Sequence, residues 1–351
     1  MPLPRVYGHP ALLGRLGASI ASGRFPQATL LVGPQGAGKQ RIALWVGQAL
    51  LCERGGGTPC GACAECRLAA ELKHPDLHWL VPIPRPKATE PAKQVEEAQE
   101  TLAAVMAERR QSFRYRPAEG LASHSLASVR LLQRIVGLTP VRGRRKVVIL
   151  GDAERLVVQE ASPEAANALL KALEEPSADT TLILTAAEPR ALLPTIRSRV
   201  VPIRVGAVGD DVVREFLGAE VSPAPKGAAL ERLVAAAGGL IGRALSNGSE
   251  SAPERADALL DAVRRGPAAW ATVALAQAPW GARADFAGTL DALALRLRDV
   301  LKGDASTADR PVLARRLEAV RAVDRAREGL TTNANPQLAL AVLARDLERV
   351  A

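Results

Sequence analysis

The sequence lacks any apolar run close to the roughly 20 residues that a membrane-spanning helix needs. It also lacks the charged-then-apolar pattern of an export signal at its N-terminus. These absences predict a cytoplasmic protein with no membrane partner. Hydrophobic residues make up 48% of the chain and the mean hydropathy is +0.03, so there is ample material for cores. The length of 351 residues predicts two or three domains.

Lysine is scarce, because only 8 of the 46 basic residues are Lys and 38 are Arg. The net charge is nevertheless +9 and the isoelectric point is about 9.9. Such a balance favours a nucleic-acid or other polyanionic partner. An Arg-heavy, Ala-rich composition is equally typical of a GC-rich genome, so the charge by itself leaves both interpretations open.

Cysteine is confined to one short stretch, where Cys52, Cys60, Cys63 and Cys66 lie among glycines and Pro59. Four thiolates suit a tetrahedral Zn²⁺ ion, and a site with four protein ligands is closed and structural. Two disulfides are the alternative, and a reducing cytosol disfavours them. The stretch therefore predicts structural zinc. His74 and His78 follow closely and are interpreted as ordinary surface or interface residues.

A strand that leads into a phosphate-binding loop is predicted by Thr29–Arg41, which reads TLLVGPQGAGKQR. The pattern is G-x-x-x-x-G-K, whose glycines let backbone N–H groups surround an anion while the lysine reaches the outer phosphates. The candidate nucleotide-binding residues of this loop are Gly33, Gly36, Gly38, Lys39 and Gln40. A structural glycine-rich turn is the alternative.

Two residues that would bind Mg²⁺ in a hydrolase are missing. The motif places Ser or Thr after the lysine, and here that residue is Gln40. The apolar strand Val147–Leu150 ends in Gly151 and Asp152, so the first of the two acids usual in nucleotide hydrolases is absent. Because both changes affect the same ion, we expect a site that holds ATP or ADP at most and does not hydrolyse it.

Further along the chain, Val95, Ala98, Leu102 and Met106 recur at helical spacing and predict an inserted helix over 92–112. The basic stretch Arg109–Arg116 at its end is either a solvated face or a docking surface for DNA or a partner. In the strand Thr181–Thr185, the last residue is predicted either to sense a nucleotide or to satisfy the strand end.

Several motifs occur in the order found in the AAA+ subunits of bacterial clamp loaders: GPQGAGK, the four cysteines, HPDLHWL, KVVILGDAERL, EAANALLKALEEP and LLPTIRSR. The chain resembles that family over most of residues 5–250 apart from the insert, and again over Asn333–Leu347. Within the family it looks most like the delta prime group of DNA polymerase III, which commonly lacks the two Mg²⁺-binding residues.

The resemblance implies roles for individual residues. Ser198 and Arg199 match the family's Ser-Arg-Cys motif, although Val200 replaces the cysteine. In the family that arginine is a finger inserted into the ATP site of the neighbouring subunit, and a local salt bridge is the alternative here. Arg243 matches a second nucleotide-sensing arginine, and a solvated or interface role is the alternative. The four cysteines match the family's zinc module.

The predicted fold is an α/β AAA+ parallel sheet with helices on both faces, followed by a helical lid and an all-α collar. The predicted domains are an AAA+ nucleotide-binding-like domain over 1–204, with a zinc module at 52–66 and an insert at about 87–124, a helical lid over 205–250, and a helical collar over 251–351. By resemblance, the collar is an oligomerisation domain that joins the subunits into a ring. By resemblance, the chain helps load a sliding clamp onto primed DNA in a heteropentamer with gamma/tau and delta subunits. It is predicted to have no catalysis of its own within the polymerase holoenzyme. An ATP-hydrolysing motor subunit of the gamma/tau type, or a zinc-containing nucleic-acid-binding protein outside replication, are the alternatives.

Overall fold

A computed structural model describes residues 3–112, 122–142, 145–156, 164–174, 176–245, 251–276, 283–304, 308–331 and 335–350. The chain divides into two compact units, Met1–Leu245 and Ser246–Ala351. Residues 113–116 of the predicted basic stretch, and residues 113–121 of the predicted insert, lie outside the described residues. Among the described helices, none combines the length and the hydropathy needed to cross a bilayer.

The first unit is built on five parallel strands. They are β1 (Ala28–Val32), β2 (Leu77–Leu80), β3 (Lys146–Leu150), β4 (Thr180–Ala186) and β5 (Val201–Arg204). Their order in the sheet is β2-β3-β4-β1-β5. Leu30 pairs with Leu184 on one side and Pro202 on the other, while Ile149 pairs with Ile183. The central strands are apolar on both faces, which is typical of a parallel sheet covered by helices.

Alternate residues of these strands belong to two separate cores. Leu31, Val147 and Ile149 face one core, while Leu30 and Val148 face the other. Because successive side chains of a strand point to opposite faces, each strand stabilises both layers. The sheet is therefore the middle layer of three.

Helices cover both faces of the sheet. In the first unit they are α1 (Pro10–Ala21), α2 (Lys39–Leu51), α3 (Ala64–Ala70), α4 (Pro91–Gln111), α5 (Leu126–Val136), α6 (Glu164–Glu174), α7 (Pro194–Arg197), α8 (Asp210–Glu220), α9 (Gly227–Ala237) and α10 (Ile241–Leu245). Helix α5 begins at a Ser125 cap whose hydroxyl accepts from the Ser128 N–H. The parallel sheet, the phosphate-loop helix and the helices on both faces agree with the predicted fold class.

The predicted inserted helix corresponds to α4, which packs against the body of the unit. Val95 and Ala98 are buried in the same core as α1 and α2, and Leu102, Val105 and Met106 pack against that core. The Glu97 carboxylate accepts from the backbone N–H groups of Lys87 and Ala88. Helix α4 is therefore part of the folded unit.

Helices α8, α9 and α10 form a small apolar cluster of their own. Val213, Phe216, Leu217, Val234 and Ala237 are buried in it together with Tyr7. The rings of Tyr7 and Phe216 meet edge to face, with their centroids 5.1 Å apart. Tyr7 thereby ties the N-terminal segment to this cluster.

The second unit is helical throughout its described residues. Its helices are α11 (Ser251–Arg265), α12 (Pro267–Ala276), α13 (Arg283–Asp304), α14 (Arg310–Thr331) and α15 (Pro336–Val350). Phe286, Leu290, Leu293 and Val323 are almost completely buried at its centre. The predicted boundaries after residues 204 and 250 remain a prediction.

Candidate nucleotide site and cysteine cluster

The loop between β1 and α2 has the backbone shape that its sequence predicts. Gly36 and Gly38 have φ angles of 87° and 84°, a conformation that L side chains rarely adopt. A Cβ atom on Gly33 would lie 1.9 Å from the Val205 carbonyl oxygen, so only glycine fits there. The glycines are therefore required by the path of the backbone.

Lys39 is folded onto this loop. Its Nζ donates to the carbonyl oxygens of Gly33, at 2.7 Å, and Pro34, at 3.0 Å, and the residue is only 6% exposed. Burial lowers the pKa of Lys39, whereas the carboxylates of Glu154 and Asp152 act in the opposite direction. The loop thus holds a cation beside the place where a phosphate would bind.

Gln40 lies in a network of fixed hydrogen bonds. Its Nε2 donates to Asp152 Oδ1 at 3.0 Å, and its Oε1 accepts from Trp79 Nε1 at 3.1 Å. Both the donor and the acceptor of the amide are therefore satisfied by protein groups. The structure places this side chain directly against Gly151, where a Cβ atom would lie 2.8 Å from Gln40 Oε1.

Asp152 and Thr185 meet at the carboxyl ends of β3 and β4. The Thr185 hydroxyl is buried and accepts from the Asp152 backbone N–H at 3.0 Å. Asp152 has a φ angle of 51°, uncommon for a residue other than glycine. Of the two roles predicted for Thr185, this contact is the one expected of a residue that satisfies the end of a strand.

Two further titratable residues surround this point. His124 Nε2 lies 2.7 Å from the Gly151 carbonyl oxygen, and burial lowers the pKa of His124 to about 4. Glu154 Oε1 accepts from the Ala187 N–H at 2.9 Å. Burial, and then the neighbouring Asp152, raise the pKa of Glu154.

Helix α10 reaches back to the phosphate loop. The Gly242 N–H donates to the Gly36 carbonyl oxygen at 2.9 Å, and a Cβ atom on Gly242 would lie 2.6 Å from Gly36 Cα. Arg243, the next residue, is half-buried, and its Cγ lies 3.5 Å from where a Gly36 Cβ would be. The structure therefore brings Arg243 to the loop.

Ser198 and Arg199 lie elsewhere, after α7. Arg199 Nη2 is 2.7 Å from Glu174 Oε1 at the end of α6, and the arginine side chain is 37% exposed. Its Nη1 donates to the Thr195 carbonyl oxygen at 3.0 Å. The Ser198 hydroxyl donates to the same carbonyl at 2.9 Å. The predicted finger thus has a salt bridge on its own chain and remains accessible from outside.

The four cysteine sulfurs converge, since they all lie within 4.8 Å of one another. The Sγ atoms of Cys52 and Cys63 are 4.0 Å apart, and those of Cys60 and Cys66 are 3.9 Å apart. Both distances are far longer than the 2.05 Å of a disulfide. Tetrahedral zinc with bonds of about 2.3 Å would place its sulfurs about 3.8 Å apart. The cluster can therefore hold a metal ion.

Backbone N–H groups favour the thiolate form in this cluster. The N–H of Cys63 points to Cys60 Sγ at 3.3 Å, and the N–H of Cys66 points to Cys63 Sγ at 3.4 Å. The backbone N–H groups of Cys63 and Ala62 lower the pKa of Cys60 to about 6. Burial acts in the opposite direction at Cys66 and raises the pKa of its thiol. Since the thiolate is the metal ligand, the backbone contacts at Cys60 suit a metal site.

The interpretation of His74 as a surface or interface residue is wrong. His74 is 4% exposed, and its Nε2 lies 2.7 Å from Glu65 Oε2, one residue before Cys66. Arg142 Nη2 also donates to Glu65, at 2.8 Å. The N–H groups of Val141 and Arg142 donate to the Asp76 carboxylate. These contacts tie the cysteine segment to β2 and to the chain before β3.

A phosphate loop on a five-stranded parallel sheet of this order, with a helical cluster that reaches back to the loop, defines a P-loop protein of the AAA+ type. The chain belongs to the family described as DNA polymerase III, delta subunit, whose model matches residues 8–208. The predicted membership of the clamp-loader family is thereby confirmed.

Curated relatives agree with this assignment. The DNA polymerase III subunit delta' of Pseudomonas aeruginosa is 37% identical over 213 residues, covering 60% of this chain and 52% of that protein. The subunit delta' of Bacillus subtilis is 28% identical over 219 residues, covering 61% and 53%. The subunit tau of Escherichia coli is 30% identical over 245 residues, covering 69% and 31%. The chain thus matches about half the length of the two delta' relatives.

Trp79 and His124 were not predicted to belong to the site, and both alternatives predicted for Arg109 are wrong. Arg109 is buried, and its Cζ lies 3.9 Å above the Trp79 ring centroid, so it belongs neither to a solvated face nor to a docking surface. Helical spacing gave no indication that this cation would face a tryptophan on β2. One available signal was Gly151, because a glycine opposite a large Gln40 suggests compensation in size.

Proposed function

We propose that this chain is a clamp-loader subunit of the delta prime type, which assembles with gamma/tau and delta subunits to load a sliding clamp onto primed DNA. The observation that carries the proposal is the Gln40 amide, which fills the space beside Gly151 and is hydrogen-bonded at both ends. A site arranged in this way lacks the hydroxyl at position 40 and the first of the two acids, at position 151, that would bind Mg²⁺. Its chemical contribution is therefore made to a neighbouring subunit.

Arg199 is the residue proposed to make that contribution, with Ser198 fixing the turn on which it lies. A guanidinium is permanently charged and planar, so it can stabilise the charge that develops on a transferring phosphoryl group. Exposure of the Arg199 side chain and its surface pairing with Glu174 support this role, since an exposed ion pair is weak and readily exchanged for a phosphate.

We propose zinc as the ion at Cys52, Cys60, Cys63 and Cys66, because four sulfurs at these separations match its tetrahedral preference. ATP or ADP is the proposed ligand of the phosphate loop, held by Lys39 without turnover. The buried contacts of Glu65 give the zinc module a structural role in the unit.

The test is ATP hydrolysis by the assembled loader in the presence of clamp and primed DNA. Arg199→Ala is expected to lower hydrolysis at the adjacent site on the order of 10³-fold. Arg197→Ala, at an exposed arginine two residues earlier, is the matched control and should leave the rate unchanged. Full activity with Arg199→Ala would overturn the finger. Mg²⁺-dependent ATPase activity of the isolated chain, lost with Lys39→Ala, would favour a motor subunit.

A further inference from the structure

We propose that helix α4 locks the cation position of the nucleotide site, with Arg109 and Trp79 acting as positioning residues for the Gln40 amide. The inference deepens the proposed function and rests on it, because it explains how this site is kept in a form that leaves hydrolysis to a neighbour. It also assigns a role to the insert for which the sequence offers none.

The first step concerns Gly151 and Gln40, which are matched in shape. A Cβ atom on Gly151 would lie 2.8 Å from Gln40 Oε1, 2.9 Å from Cδ and 3.1 Å from Nε2. The φ angle of Gly151 lies outside the region that favours glycine, so the backbone alone would accept another residue there. The position is glycine because the amide occupies the space of its side chain. An acidic side chain at position 151 would therefore clash with the Gln40 amide in its present position.

The second step concerns what holds the amide there. A glutamine side chain is flexible and would yield to a new Cβ atom if it were free. Here Trp79 Nε1 donates to Oε1 at 3.1 Å and Asp152 Oδ1 accepts from Nε2 at 3.0 Å. Moving the amide would break both hydrogen bonds in a part-buried setting, where unmade bonds are costly. The amide therefore behaves as a fixed part of the site.

The third step leads from Trp79 to helix α4. The guanidinium of Arg109 lies 3.9 Å above the centre of the Trp79 ring, and both residues are 8% exposed. A cation stacked on a desolvated indole stabilises that ring orientation. Val95 and Ala98, on the apolar face of α4, are buried in the core and anchor the helix that carries Arg109. The indole, and with it the amide, are thus positioned from the insert.

The test is a double-mutant cycle between Arg109 and Gly151, two residues that the chain Trp79–Gln40 connects. Gly151→Ala and Arg109→Met are introduced singly and together, and unfolding of the full chain in urea is measured. Methionine keeps the apolar stem of the arginine, so packing of α4 is retained. Arg110→Met is the matched control, because Arg110 is exposed and donates to the Leu72 carbonyl oxygen instead.

Gly151→Ala alone is expected to lower the folded-to-unfolded ratio about 5- to 30-fold. In the Arg109→Met variant, the decrease of this ratio caused by Gly151→Ala should be at least about 5-fold smaller, because a loosened indole lets the amide move. In the control cycle, Gly151→Ala and Arg110→Met should act independently. The folded-to-unfolded ratio of that double variant should therefore lie within roughly twofold of the value obtained by multiplying the two single effects. Gln40→Ala combined with Gly151→Ala should remove most of the loss, which gives a second route should Arg109→Met fold poorly. Independent losses in the Arg109–Gly151 pair would overturn the positioning by α4, and independent losses in the Gln40–Gly151 pair would overturn the match in shape on which it rests.

Binding of fluorescent ADP with and without Mg²⁺ provides a readout that a merely structural role would not change. We expect no effect of Mg²⁺ in the natural chain and at least about tenfold tighter binding with Mg²⁺ in Gln40→Thr/Gly151→Asp. Tightening by Mg²⁺ in the natural chain would contradict the lock. These outcomes can be distinguished from those of the loader assay with Arg199→Ala. Additive double-mutant cycles would reject the lock and leave the proposed function intact. Full ATP hydrolysis by a loader with Arg199→Ala would reject the arginine finger alone.

Discussion

At the residue scale, the altered site depends on short contacts between side chains far apart in sequence. Gln40 replaces a hydroxyl that would bind a cation, and its amide bonds to Asp152 and Trp79. The carbonyl of Gly151, the position that lost its acid, lies against the buried His124 ring. These polar groups are thus hydrogen-bonded to one another, as the proposed loss of the cation site requires.

His124 predicts a loss of stability in mild acid. Its folded-state pKa is about 4, whereas an unfolded histidine has a pKa near 6.5. Between these values the unfolded chain binds a proton that the folded chain does not, so the free energy of unfolding falls as the pH is lowered from 6.5 toward 4. We expect His124 to make the free energy of unfolding roughly 2 kcal/mol lower at pH 5 than at pH 7.

Urea unfolding of the natural chain and of His124→Gln at both pH values measures this difference. Glutamine can still donate to the Gly151 carbonyl but does not titrate. His78, whose pKa burial also lowers to about 4, contributes equally to both proteins. Between pH 7 and pH 5, the free energy of unfolding of the natural chain should therefore fall by about 2 kcal/mol more than that of His124→Gln. Parallel pH dependence of the two would rule out His124 as the source.

At the element scale, helix α3 is held by two different kinds of contact. Cys63 caps its first turn and Cys66 lies within it, so a metal ion would bind the helix covalently to Cys52 and Cys60. Glu65, between them, lies against His74 and accepts from Arg142. A helix of 7 residues has little stability of its own, so these contacts must hold it.

Removal of the metal should therefore loosen α3 while the sheet stays folded. We expect one zinc per chain in the natural protein and none in Cys66→Ser, with faster hydrogen exchange of the amides of 60–71 and unchanged exchange in β3 and β4. Natural protein treated with a chelator should match the variant. Slow exchange over 60–71 in metal-free protein would mean that Glu65 and the apolar contacts suffice.

At the scale of the whole molecule, each unit has its own core. In the second unit, large apolar side chains stay exposed on α12 and α15, two helices joined by a hydrogen bond. Leu338 and Val342 are spaced four residues apart on α15 and are 64% and 41% exposed. Leu275 at the end of α12 is also exposed, and its carbonyl accepts from Gln337 Nε2 at 3.0 Å. A patch of this kind, defined by Leu275, Leu338 and Val342, is typical of a protein interface.

We propose that the second unit, which the resemblance predicts to be a collar, holds this chain to the other clamp-loader subunits. Charge on this patch should then prevent assembly. Leu338→Glu/Val342→Glu is expected to abolish co-elution with gamma/tau and delta subunits in size-exclusion chromatography. The melting temperature of the isolated chain should change by no more than about 2 °C, because surface substitutions cost little. Leu317→Glu, at a 42% exposed position on α14, is the control and should still assemble. Normal assembly of the double variant would exclude this patch as the interface.

Some features of this protein could be read from the sequence because they depend on neighbouring residues. The phosphate loop follows from glycines and a lysine a few positions apart, and the convergence of the cysteine sulfurs from four cysteines within 15 residues. The substitutions at Gln40 and Gly151 could be seen for the same reason. Local spacing fixes backbone shape and ligand type, so these predictions needed no tertiary structure.

Other features were decided by packing alone. Periodicity predicted that α4 is amphipathic, but it could not indicate that Arg109 would lie over Trp79, 30 positions earlier. Nor could it pair Glu65 with His74, or Arg199 with Glu174. A pattern of apolar residues specifies which face of an element is buried, whereas the identity of the residue opposite depends on how the elements stack. For that reason the sequence shows that Gln40 and Gly151 depart from the motif of nucleotide hydrolases, and only the tertiary structure shows that the Gln40 amide bonds to Trp79 and Asp152 and lies against Gly151.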